Sequence, residues 1–183
     1  MASKAASMVL GIGFIFSFLT ITSLLTLVLA MATLLTYPIS TLLRAIGWVL
    51  LGRWKLRRFI VTGMAVIILA PIVYGGFIFN QAIQNTFNLT FGQVLAIMII
   101  AWAIYSFFEF ASYYFLGREE TKLFYGAMIS ILGILIILLN IPSVIEKGLD
   151  AFDAIYPGLF FLWISSLLAA IGSFKIKGET DIE

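Results

Sequence analysis

The chain has 183 residues, is 62% hydrophobic and 11% charged, carries a formal net charge of +2, and has a mean hydropathy of +1.12. Soluble domains are about 45–50% apolar and about 25% charged, so this composition excludes one, and the long uncharged runs specify an integral membrane protein. The absence of Cys and His excludes disulfides, thiolate catalysis, Cys-ligated clusters, bis-His haem and most copper and zinc sites, and the small net charge gives no reason to expect nucleic acid.

The opening "MASKAASMVLGIGF" places one lysine before an apolar run that exceeds the about 7–15 residues of a signal-peptide core. It reads as a retained first span that doubles as a signal anchor, the alternative being cleavage after "LAMA". Residues 8–51 hold a single charge, Arg44. As one helix they would reach about 66 Å, roughly twice the hydrocarbon thickness, so the chain must turn back. "LLTYPIS" is the predicted turn, because Pro38 suits a first helical turn and biases Tyr37 away from helical geometry. Span 1 is thus expected over 8–34 and span 2 over 37–52.

The basic loop "RWKLRR" precedes span 3, expected over 59–79. In it Pro71, Gly75 and Gly76 form a possible helix break, a feature that marks substrate sites in transporters but is also ordinary in membrane helices. A polar segment follows, with "NLT" at 88–90 matching a glycosylation sequon, a weak signal at this length. Span 4 is expected over 93–116, span 5 over 123–141 after the turn "GREETK", and span 6 over 157–174. Glu119 and Glu120 read as solvated turn residues. Between spans 5 and 6, Ile145, Leu149, Phe152 and Tyr156 recur at helical spacing opposite Glu146, Asp150 and Asp153, which predicts an amphipathic helix on the outer surface acting as a structural lid, the alternative being a docking site.

Six spans distribute the charges unevenly. Lys4, Arg53, Lys55, Arg57, Arg58, Arg118, Lys122, Lys175 and Lys177 fall on one side and Lys147 on the other, which sets both termini inside. Trp48, Trp54, Tyr113, Tyr114 and Tyr125 are expected as an interfacial aromatic belt at that inner boundary. The predicted architecture is all-α: one transmembrane bundle over residues 1–183, multi-pass in the cell membrane.

An internal repeat relates the spans. A shift of 65 residues superposes "LGR" at 51–53 on "LGR" at 116–118 and Trp48 on Tyr113. A shift of 125 superposes "ISTLLRAIG" (39–47) on "ISSLLAAIG" (164–172), identical at seven of nine positions. Three similar hairpins running in parallel would result. Arg44 then corresponds to Glu109 and to Ala169. Arg44 and Glu109 each precede a loop arginine by nine residues, so both sit about 13 Å above one boundary. An isolated arginine at a helix centre costs about 2.5–3.5 kcal/mol, and an opposite charge at equal depth offsets that cost. The two are therefore expected to pair, against the alternative that Arg44 snorkels and Glu109 is protonated.

Small residues share faces: Gly13, Ser17 and Thr20; Gly126, Ser130 and Gly133; Ser165, Ala169 and Ser173. They permit close helix contact within the bundle or with a partner. No phosphate loop, nucleophile elbow or metalloprotease motif is present, and no catalytic, cofactor or metal residue is assigned. The first-span "LGIGFIF", the tract "LGREETKLFYGAMISILGIL" and the terminal apolar helix resemble a family of small multi-pass archaeal membrane proteins of unknown function; the resemblance implies a helical membrane fold and no activity. Two functions are expected in order: a non-catalytic subunit packing, among lipids, against other integral membrane proteins of a larger complex, or a small transporter or channel using Glu109 with Arg44 as a proton or cation site.

Overall fold

The computed structural model describes residues 2–26, 30–118 and 120–176. Glu119 and Lys177, both used in the sequence reading, lie outside them. The described chain is helical: α1 (Ala2–Thr26), α2 (Ala30–Trp54), α3 (Arg58–Ile78), α4 (Asn80–Phe87), α5 (Phe91–Leu116), α6 (Thr121–Leu139), α7 (Ile141–Lys147), a short 3-10 turn (Gly148–Ala151) and α8 (Phe152–Ser173). Among the described residues there is no strand. Six segments of the described residues have the length and apolarity to cross a membrane, and the protein is a multi-pass membrane protein.

The spans close into a ring. α1 packs on α2, α2 on α3, α3 on α5, α5 on α6, α6 on α8, and α8 returns to α1. Close approach is made possible by glycine at several crossings. A Cβ on Gly13 would meet the Arg44 backbone N and Cγ at 2.8 Å, and one on Gly133 would meet the Gly158 carbonyl at 2.7 Å. In lipid, such packing and interhelical hydrogen bonds replace the hydrophobic effect as the force between helices. Ser165 supplies one of the bonds, its hydroxyl donating to the Gly126 carbonyl at 2.8 Å.

One end of the ring is solid. Ala6, Leu10, Phe14, Trp48, Leu51, Phe59, Tyr113, Leu116, Leu123 and Ile176 belong to one buried cluster. The α2–α3 and α5–α6 junctions, with Arg53, Lys55, Arg57, Arg58, Arg118 and Lys122 in or beside them, lie at this end. α7 and the 3-10 turn cover part of the other.

Four expectations need correction. The first turn is not at "LLTYPIS": α1 ends at Thr26 and α2 is already helical from Ala30, so Pro38 is inside α2. Bounded by Pro38, span 2 would have been only about 24 Å long at 1.5 Å per residue, short of the about 30 Å hydrocarbon core. Thr41 back-bonds within the following turn, its hydroxyl lying 3.0 Å from the Tyr37 carbonyl and 3.1 Å from that of Pro38. Second, Pro71, Gly75 and Gly76 do not break α3, which continues to Ile78. A Cβ at Gly76 would collide with Met98 of α5, so this glycine serves helix packing.

Third, no single amphipathic helix forms between spans 5 and 6. Gly148, at φ 59°, ends α7 and opens the 3-10 turn, and α8 begins at Phe152. Fourth, Trp48 and Tyr113 are interior rather than interfacial, whereas Trp54, Tyr114 and Tyr125 are exposed. The "NLT" tract is a helix junction. Asn88 ends α4 in the left-handed region, and Thr90 caps α5 in a reciprocal capping box with Gln93.

Candidate intramembrane chamber

α2 carries a polar stripe that runs along one face. Thr33, Tyr37, Ser40, Arg44 and Trp48 follow at intervals of four, three, four and four residues, the spacing that places side chains on one side of a helix. All are buried. From Thr33 to Arg44 the stripe covers about 16 Å at 1.5 Å rise per residue.

The lower part of the stripe is an ion-pair centre. Arg44 Nη1 lies 2.5 Å from Glu109 Oε2 on α5, and both side chains are buried. Trp48 Nε1 donates to the other carboxylate oxygen at 2.9 Å. Both oxygens of Glu109 are therefore engaged. The guanidinium carbon of Arg44 also lies 5.2 Å from the Phe14 ring centroid and 5.8 Å from that of Tyr105, within range of cation–π attraction. Trp48 in turn contacts the rings of Phe59 and Tyr113, and Phe14 meets Tyr113 edge-on at 5.1 Å. This packed aromatic layer fills the space beneath Arg44.

Above the ion pair the ring encloses a chamber of about 220 Å³. Its two walls differ in chemistry. Ser17 and Thr20 of α1 with Thr33, Tyr37, Ser40 and Arg44 of α2 make a hydroxyl-rich side. Val73, Leu95, Met98, Ile99, Trp102 and Leu162 are among the residues of the apolar side. Leu149 and Phe77 also border the chamber and are 66% and 40% exposed, which locates a mouth at the α7 end. Glu109 is not part of the lining.

Most hydroxyls in the chamber wall are satisfied within the protein. Ser40 donates to the Gly13 carbonyl at 3.0 Å, Thr20 to the Phe16 carbonyl at 2.8 Å, and the Tyr37 and Tyr105 hydroxyls lie 3.0 Å apart. Two residues of the lining keep an unpaired atom: Arg44 Nε and Thr33 Oγ1 are buried without a hydrogen-bond partner. Buried polar atoms rarely go unpaired, and each such atom costs about 1–3 kcal/mol.

The sequence reading placed Arg44 and Glu109 together and the structure does so. It missed Trp48 as the second donor to Glu109, assigning it to an interface, and it missed Thr33, Tyr37 and Ser40 altogether. Their helical spacing within an otherwise apolar segment was the available signal. No group of acidic side chains able to hold a metal ion occurs among the described residues. Comparison with family models, curated proteins and solved structures finds no match for this chain.

Proposed function

We propose that the chain is a non-catalytic small-molecule carrier of the cell membrane, with the chamber as its binding site. The observation that carries this reading is the chamber itself: a hollow at the ring centre open at one mouth, bordered by a buried arginine and shut on the other side by packed aromatics. Ligand sites share this form, an apolar cavity with a few placed polar groups.

Two features weigh against the earlier alternatives. A complex subunit would present its small-residue faces outward, yet Gly13, Gly126, Gly133 and Ser165 are spent on contacts inside the ring. A cation or proton site at Glu109 would need a free carboxylate oxygen facing the chamber. Glu109 instead holds Arg44 and Trp48 and does not border it. Its role in this reading is to fix the floor, and passage of a solute requires the Arg44–Glu109 contact to part.

The charge bias supports both termini inside and the chamber mouth outside. The burial of Arg44, Glu109 and Ala169 alike supports the repeat, since corresponding positions of three parallel hairpins would all face the ring axis. The test is to purify the protein in mild detergent from its own membrane and identify extracted small molecules by mass spectrometry, beside Met98→Trp, which fills the chamber. A compound present in the parent and lost from the folded variant is expected. Identical extracts would overturn the reading.

A further inference from the structure

We infer that the chamber takes an uncharged, single-chain amphiphile, bound with an acceptor oxygen at Arg44 and its chain along the α3–α5–α8 wall. The inference rests on the chamber's being a binding site and adds the chemical class of what it holds.

Size comes first. At about 220 Å³ the chamber lies below the about 300–1,000 Å³ of pockets that take drug-sized ligands. With a polar stripe about 16 Å long from Thr33 to Arg44, it suits one slender chain and not the paired chains of a bilayer phospholipid. Apolar side chains from three elements, among them Val73, Leu95, Ile99 and Leu162, provide the surface for that chain.

The polar end follows from what remains unpaired. Arg44, a residue of the chamber lining, spends Nη1 on Glu109, while its buried Nε–H has no acceptor. It therefore calls for an oxygen lone pair. The charge of the guanidinium is already balanced by Glu109, so in a medium of low dielectric a second carboxylate there would bury a net negative charge whose desolvation nothing offsets. A hydroxyl or carbonyl head satisfies the donor without adding charge. Thr33 Oγ1, also without a partner, gives a second polar contact about 16 Å along the stripe, which a hydroxyl or ester on the chain could use.

The experiment uses the full chain in phosphatidylcholine nanodiscs with a diazirine-bearing long-chain alcohol, photolysed and mapped by mass spectrometry. Dodecanol, dodecanoate and dodecane compete as unlabelled probes. Label is expected on chamber residues such as Leu95, Ile99 or Phe152, with dodecanol competing about tenfold better than dodecanoate or dodecane, the size of one buried hydrogen bond. Ile99→Trp should abolish that label. Arg44→Lys, which keeps a cation for Glu109 and removes Nε, should shrink the advantage of dodecanol over dodecane to about threefold or less. Label confined to lipid-facing Ile67 and Ile104, or unaltered in Ile99→Trp, would overturn the inference. Stronger competition by dodecanoate would overturn the uncharged head. If native extraction yields an anionic compound lost from Met98→Trp, the carrier reading stands while this inference falls.

Discussion

Arg44 and Glu109 show what one buried contact does when the solvent is lipid. Neither charge can be left alone at that depth, so each is the reason the other is tolerated. Removing one partner of such a pair costs about 3–5 kcal/mol because the survivor is uncompensated. Arg44→Ala and Glu109→Ala should each lower stability by that amount, and the double replacement should recover much of it. A double-mutant cycle by chemical unfolding in mild detergent measures this, and additive losses would deny the coupling. Trp48→Phe leaves Glu109 Oε1 without its donor and should cost about 1–3 kcal/mol in the same assay. At this scale the pair was legible because sign, depth and loop spacing agree. The tryptophan was not, because an indole near a predicted boundary has an ordinary interfacial explanation that only the packing removes.

Elements were legible where hydropathy alone decides and misread where proline and glycine were taken as punctuation. The apolar runs located the spans because a bilayer forces each one into a helix. Pro38 and Pro71 nevertheless sit inside helices, since neighbouring helices and hydroxyl side chains compensate a lost backbone bond in a membrane bundle. Gly148 is the reverse case. It reads as an unremarkable helix residue, yet it adopts φ 59° and ends α7. Gly148→Ala should therefore destabilise by about 1–3 kcal/mol, and limited proteolysis in detergent should show earlier cleavage near the 3-10 turn. Gly133→Leu should separate α6 from α8, because the Gly158 carbonyl lies where its side chain would go. A collapse of the protein's thermal transition in detergent is the expected readout.

The whole molecule is a ring of six spans, solid at its basic end and hollow towards the other. The charges gave a side to each loop, but sequence pattern has no means of separating a ring from a filled bundle. Side-chain volume at the axis makes that distinction, and it depends on which face each helix turns inward. The charge bias predicts a topology that remains to be measured: in intact cells, Lys55→Cys and Glu120→Cys should resist an impermeant thiol reagent while Asp150→Cys reacts. Labelling at position 55 from outside would reverse the orientation.

The hollow and its floor are tested most directly by thiol reaction rates in nanodiscs, where both faces are accessible and the chain supplies no native cysteine. Leu149→Cys at the mouth, Ser40→Cys in the chamber wall and Leu51→Cys below the ion pair form a graded series. The account predicts fast reaction at position 149, slower but measurable reaction at 40, and none at 51 over the same time. Reaction at 51 as fast as at 40, or a position 40 as inert as 51, would contradict it.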